Sequence, residues 1–394
     1  AGTFSLGKVP SSAAPGPKGI SAAAEGQTLV QPGPSGPIAE RLGKARAEAK
    51  GRGWTKGFWF GFGIRRLMGE HSWLGWRTRG GAERRPTLDD LVNGRKTPLE
   101  KKVDRDQAVR GTAASMPTEA RAFAARRRGG DEPERLALRE IGVLFRFSAD
   151  GADFPADVRV SSLDLPFDLG DLPLVWAGTA EHAESLAYLI PLYGRAAAEA
   201  DKLSLLWTIG LHREPSAVVP FVDRVLAGHE SEEVRAEAAG CLGEQDDAEA
   251  LDLLLRTIRS DPSERVLEAA VGGLADMSLA AAGEALAALA LGDPSRRVRG
   301  EAVRGLADLA TDAAVRALLK IAGGDKDAEV QRDAIHALSD LPGEAGLPYL
   351  VDLVKTHGDR DVRREAVEAV GDIGGPEAVK ALTEWARGRI RRNG

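Results

Sequence analysis

Val234, Val266, Val298, Val330 and Val362 fall 32 residues apart. Four positions after each stand Ala238, Ala270, Ala302, Ala334 and Ala366, and eight positions after each stand Leu242, Leu274, Leu306, Leu338 and Val370. Residues at i, i+4 and i+8 share one face of an α-helix. A second row, Leu254, Leu286, Leu318, Leu350 and Leu382, keeps the same spacing, with Val222 one period earlier. Each unit is therefore two antiparallel helices with apolar faces that only neighbouring units can cover, so the units must stack into a continuous core. This predicts a mainly α chain whose residues 179–394 form an α-solenoid of about six helix pairs.

The local chemistry agrees with that register. Three residues before each Val stands a capping side chain, Ser231, Ser263, Ser295, Asp327 or Asp359. Each can accept a hydrogen bond from a free first-turn N–H, worth about 1 kcal/mol. Turns are punctuated by Asp261-Pro262, Asp293-Pro294 and Gly374-Gly375-Pro376. Aromatic residues are only 5% of the 394 and hydrophobic residues 43%, a mix that suits closely stacked helices better than a β-sandwich core.

The chain before the solenoid reads differently. Residues 1–38 are rich in Pro, Gly and Ala and lack the apolar content to offset their own ordering entropy, so residues 1–50 are expected to form an extended basic arm, with a short basic helix at 39–51. Residues 51–178 are expected to form a small β-region assembled from separated segments. The stretch Trp54–Trp76, with Phe58, Phe60 and Phe62 and a turn signal at Met68-Gly69-Glu70, reads as the two strands of a hairpin. Further strands are expected at Ile141–Phe147, Val158–Ser162 and Leu174–Trp176, with Gly151 in a turn, and residues 80–135 read as a long basic insertion with short helices.

Charge divides the same way. Residues 1–130 carry 24 Lys and Arg against 11 Asp and Glu, and the remainder carries 29 against 48. A basic front and an acidic back suggest electrostatic docking, either of the two ends on each other or of the chain on a partner. Cys241 is the single cysteine, which excludes an internal disulfide and CxxC zinc sites. No apolar run approaches the roughly 20 residues that span a bilayer. The sequence starts at Ala1 with no Met, as a mature protein does after signal-peptide removal and as a trimmed chain also does.

The second-helix pattern resembles the HEAT-like repeats of phycobilisome lyases. The resemblance is carried by Val298-Arg299-Gly300-Glu301-Ala302-Val303 with Leu306-Ala307-Asp308, and by Val362-Arg363-Arg364-Glu365-Ala366-Val367 with Val370-Gly371-Asp372. Val175-Trp176-Ala177-Gly178, Glu184-Ser185-Leu186 and Ile209-Gly210-Leu211-His212 are similar to bacterial, often exported HEAT-repeat proteins with a small β-region before the solenoid. These likenesses imply a binding scaffold that is periplasmic or otherwise exported, with a cytoplasmic location left open.

No residue pattern points to catalysis. His71, His182, His212, His229, His336 and His357 form no ligand-spaced pair, and His229 and His357 take the loop position filled by Asp261, Asp293 and Asp325 elsewhere. Cys241 takes a slot held by Gly273, Gly305, Ala337 and Ala369, which makes it a packing residue. Glu244, Asp276, Asp308, Asp340 and Asp372 end the second helices and are expected to pair with Arg235, Arg299 and Arg363 of neighbouring units.

The chain is therefore expected to be a non-catalytic scaffold or accessory subunit of a larger bacterial assembly. It has no expected cofactor, and its expected partners are protein subunits rather than nucleic acid. It is not expected to be transmembrane, though association with a membrane complex stays open. The candidate partner-binding residues are Lys8, Lys18, Arg41, Lys44, Arg46, Trp54, Trp59, Trp73, Trp76, Arg126, Arg127 and Arg128. Competing readings are bilin-lyase-like handling of a tetrapyrrole in the solenoid groove, and nucleic-acid or anionic-lipid binding through the basic N-terminal third.

Overall fold

The structure is a computed structural model, and it describes residues 28–30, 36–69, 87–93 and 136–393, apart from 166, 310, 342 and 343. Five strands form one mixed sheet: β1 (Thr28–Val30), β2 (Phe58–Gly69), β3 (Leu136–Phe147), β4 (Asp157–Ser162) and β5 (Leu174–Thr179), in the order β1-β5-β2-β3-β4. β2 pairs antiparallel with β3, β3 antiparallel with β4, and β5 parallel with both β2 and β1.

Of the hairpin expected within residues 54–76, the structure describes one strand, Phe58–Gly69, which ends at the Met68-Gly69 turn signal; residues 70–76 lie outside the described residues. The antiparallel partner of that strand is β3, reached from far along the sequence. The alternation of β2 explains the choice. Phe58, Phe60, Phe62 and Ile64 face Phe147, Phe145, Val143 and Ile141 in register and are buried with them on one side of the sheet. That side receives α1 (Ile38–Gly51) through Ile38, Leu42, Ala45 and Ala49. The opposite side buries Trp59, Leu144, Leu174 and Trp176 under the short α2 (Leu88–Asn93) and the loop carrying Leu163, Phe167 and Leu169. A side chain at Gly142 would sit 2.5 Å from Leu88, so that position must stay small.

Six helix pairs follow: α3 (His182–Tyr193) with α4 (Glu199–Gly210), α5 (Pro215–Ala227) with α6 (Glu232–Gly243), α7 (Ala248–Ser260) with α8 (Glu264–Asp276), α9 (Ala280–Gly292) with α10 (Arg296–Leu309), α11 (Asp312–Gly324) with α12 (Ala328–Ser339), and α13 (Leu347–Thr356) with α14 (Arg360–Ile373). α15 (Gly375–Asn393) closes the described chain. The Val, Ala and Leu rows are buried in every unit, as are Leu254, Leu286, Leu318 and Leu350, while Leu382 in α15 is half-buried. Burying each such Leu contributes about 1.5–3 kcal/mol. Ser231, Ser295, Asp327 and Asp359 cap as expected; the Ser263 hydroxyl instead donates to Glu232.

The second helices form the tighter layer. A Cβ at Gly243 would lie 2.7 Å from Gly273 O, and one at Gly305 would lie 2.9 Å from Ala275. The small residues recurring there are what let these helices approach, and the closer-spaced layer of a curved array is its inner side. The sheet and α1 join the first units through one continuous apolar core that runs from Ile38 to Ala378.

Candidate functional site

The most regular polar feature is a buried ladder between units. Arg235 in α6 donates through Nε and Nη2 to both oxygens of Asp261, at 2.8 and 3.0 Å, while Nη1 donates to Glu230 O. Arg299 in α10 repeats this with Asp325 at 2.9 and 3.0 Å, its Nη1 donating to Asp293 O and Pro294 O. Each Asp also accepts a backbone N–H of its own loop, from Ser263 or Asp327. Burial alone would raise the Asp261 carboxyl, but hydrogen bonds from Arg235 and Ser263 outweigh it and hold the group below the ordinary carboxylate value. The expected pairing of these arginines with the helix-ending acids is thus corrected. The loop aspartates take the guanidinium because they sit where its fork points, whereas Glu244 instead pairs with Arg66 of β2. Arg363 repeats only half of the motif, donating to His357 O and Gly358 O.

Outside this ladder, the exposed side of the second helices carries ion pairs that step from unit to unit. Arg265 meets Glu233 at 3.0 Å, Arg297 meets Glu264 at 2.8 Å and also Glu268, and Arg296 meets Glu329, while a hydrogen bond of 3.0 Å links His336 Nε2 to Glu365. Such exposed pairs contribute little stability each. They leave a belt of mixed charge that a polar protein surface can engage by exchanging partners.

A second cluster lies where the sheet meets the solenoid. His212 is fully buried just after α4. Its Nδ1 donates to Thr208 O at 2.9 Å, and its Nε2 accepts from Ser185 Oγ at 2.8 Å. Its ring stands edge-on to His182, whose Nε2 meets Arg65 O at 2.7 Å. Burial, reinforced by His182, pushes His212 down to about 4. Arg66 completes the joint, donating to Leu211 O at 3.1 Å and to Glu244. A Ser–His pair is the material of nucleophilic catalysis, but here both members are sealed from solvent, so no substrate reaches the hydroxyl. The cluster therefore fastens sheet to solenoid. Ser185 and His212 both lie in segments that carry the resemblance to exported HEAT-repeat proteins, but a separation of 27 positions matches no helix or motif spacing and does not announce them as a pair. Cys241 is buried with Sγ against Leu206 O at 3.3 Å, and burial pushes its thiol well up.

The candidate binding residues divide sharply. Arg41 is buried, donating to Ala177 O at 2.7 Å and pairing with Glu184. Trp59 is buried too, its Nε1 donating to Leu169 O at 3.0 Å. Neither side chain faces a partner, because α1 and β2 turn them toward the sheet. Arg46 pairs with Asp153 and lies over the Phe147 ring, and Trp54 is half-buried against Phe58. Lys44 is exposed and paired with Glu40 one turn away. Lys8, Lys18, Trp73, Trp76, Arg126, Arg127 and Arg128 lie outside the described residues. Between the start of α1 and α3 lies a groove of about 660 Å³, lined by Pro37, Ile38, Tyr188, Pro191 and Leu192, with Arg195 among its walls.

A family model described as HEAT repeats matches residues 186–275, 283–360 and 342–393. No curated protein matches the chain. Among solved structures, human deoxyhypusine hydroxylase is 21% identical, the match covering 52% of this chain and 78% of that one with a TM-score of 0.23. The complex of CpcE and CpcF of phycocyanin lyase from Nostoc sp. PCC7120 is 22% identical over 39% of this chain and 98% of that one, with a TM-score of 0.30. Kap95p, in a complex with RanGDP, is 17% identical over 53% of this chain and 32% of that one, with a TM-score of 0.34. The family match spans the same helix pairs whose buried Val, Ala and Leu rows recur every 32 residues, and the chain belongs to the HEAT-repeat family.

Proposed function

We propose that this protein is a non-catalytic binding scaffold, an accessory subunit of a larger, exported bacterial assembly, that holds a protein partner along the inner layer of second helices. The observation that carries the reading is the belt of unit-to-unit ion pairs, Glu233–Arg265, Glu264–Arg297 and Arg296–Glu329, laid along a rigid stacked core. A surface of evenly spaced, mutually paired charges suits an extended polar protein surface, which can replace those pairs one for one. The buried Ser185–His212 pair and Cys241 are committed to packing, which leaves this belt as the most regular polar surface among the described residues.

The test is affinity capture of the native protein from its source, followed by reconstitution with the captured partner. Arg265→Glu combined with Arg297→Glu is expected to weaken that complex while leaving the melting temperature nearly unchanged. Undiminished binding by the double variant would overturn the inner-layer assignment. Visible absorbance of the captured protein would instead favour tetrapyrrole handling, and capture that collapses steeply with salt and carries nucleic acid would favour the basic N-terminal third.

A further inference from the structure

The start of α1 and one face of α3 enclose a groove of about 660 Å³. Ala187, Tyr188, Pro191 and Arg195 follow one another along that face of α3 and the turn after it, and the buried Ile38 and Leu192 form an apolar floor. Clefts that hold ligands have volumes of this order. α3 is a first helix, so the groove lies apart from the inner layer of second helices.

Three polar groups on its walls lack partners of their own. Pro191 has no N–H, so Ala187 O loses the helical hydrogen bond that residue i+4 ordinarily gives. Tyr188 holds its ring edge-on to Phe145 of the sheet, 5.5 Å between centroids, and its hydroxyl meets no hydrogen-bonding group among the described residues. Burial pushes that phenol up to about 12, which keeps it a donor at neutral pH. Arg195 is exposed and forms no ion pair among the described residues, not even with Glu199 at the start of α4. The other charges beside the groove are neutralised, Glu184 by Arg41, and Glu40, whose carboxylate lies against Gly36, by Lys44. The groove therefore presents one unmatched positive charge, one free acceptor and one free donor around an apolar floor.

We propose that this groove binds a short extended segment of a partner protein that carries apolar side chains and one carboxylate. The carboxylate meets Arg195, and the apolar side chains cover Ile38 and Leu192. Ala187 O accepts a peptide N–H, and the Tyr188 hydroxyl donates to a peptide carbonyl. An occupant that must bring a donor as well as acceptors is a peptide rather than an ionised fatty acid, which has no N–H to give Ala187 O. Ala187 and Arg195 stand roughly 12 Å apart at the helical rise, a span that about three or four extended residues cover. The groove is independent of the partner assigned to the inner layer, and either assignment can fail alone.

Panning a random-peptide display library on the full chain tests this. The recovered peptides are expected to combine apolar residues with an Asp or Glu. Arg195→Glu should weaken their binding roughly tenfold or more and turn a fresh selection toward Lys and Arg. Ala187→Gln fills the groove without changing its charge and should weaken the same peptides by a similar factor. Both positions are exposed, so both variants should keep the native melting temperature, which separates lost binding from lost folding. Arg265→Glu combined with Arg297→Glu should leave these peptides bound, which separates the groove from the inner layer. A library that yields no enriched peptide overturns the proposal. So do peptides without a shared carboxylate, or peptides indifferent to either Arg195→Glu or Ala187→Gln. Enrichment that appears only after removal of residues 1–27 would assign the groove to the chain's own N-terminal segment. A sedimenting mass of twice 41.7 kDa that Arg195→Glu halves would assign it to a second copy, and either result also overturns the proposal.

Discussion

The Ser185 hydroxyl donates to Nε2 of His212 across 2.8 Å, and that one bond joins the first helix of the solenoid to the end of the second beneath the edge of the sheet. It requires an unprotonated Nε2, because a charged ring would present a second N–H toward Ser185 in a site without water access.

The consequence is a stability that depends on acid. His212 titrates at about 4 when folded, against 6.5 when unfolded. Between those values the unfolded chain binds the proton and the folded chain does not, so stability rises with pH there. This contribution, on the order of 3 kcal/mol, is complete above pH 6.5 and is lost progressively as pH falls toward 4. Melting temperatures measured from pH 7.5 to 4 check it. His212→Gln should show a visibly shallower acid loss than the native chain, and identical slopes would mean that His212 is not the titrating group.

Within the solenoid, Leu306→Ala should cost about 2–5 kcal/mol, through lost burial and a cavity between α9 and α10. Denaturant unfolding measures it. A loss below 1 kcal/mol would mean that the site collapses around the smaller residue.

The ladder should prove unequal to the surface pairs. Arg299 and Asp325 have side chains 3% and 6% exposed, so Arg299→Ala strands a buried carboxylate and should cost about 3–5 kcal/mol. Arg265→Ala, in a pair whose arginine is 59% exposed, should change stability by less than about 1 kcal/mol. Chemical denaturation of the two variants side by side decides it, and equal losses would contradict the burial argument.

Removal of residues 1–50 should lower stability substantially. The reading of that whole segment as a detachable arm predicts no change. α1, however, buries Ile38, Leu42, Ala45 and Ala49 on the sheet and binds Glu184 through Arg41. Its deletion uncovers Phe60, Phe62 and Phe145. A melting curve of the truncated chain matching that of the full chain would overturn this packing.

The solenoid was legible because its information is local and repeated. Val298, Ala302 and Leu306 lie within three turns of one helix, and the same triplet returns 32 residues later, so register, faces and capping follow from spacing alone. Its aspartate ladder was half legible. The recurrence of Arg235 and Arg299 announced a role, but two sets of acids recur with the same period, and only the fork geometry selects Asp261 and Asp325 over the helix-ending acids.

The sheet and the candidate binding residues were the opposite case. Phe58–Gly69 carries strand alternation, yet its partner β3 lies beyond more than 60 intervening residues, and no local pattern names it. Arg41 looks like one more cation on a basic helix. It is buried only because Ala177 O and Glu184, more than 130 positions away, meet it there. Trp59 and the Ser185–His212 pair were decided in the same way. The sequence by itself determined the repeat, its period and its core, since each unit touches only its neighbours and its chemistry is written within a few turns. Which cations and aromatics face solvent and that His212 stays neutral were decided by tertiary structure. Burial and charge pairing depend on groups brought together from distant parts of the chain.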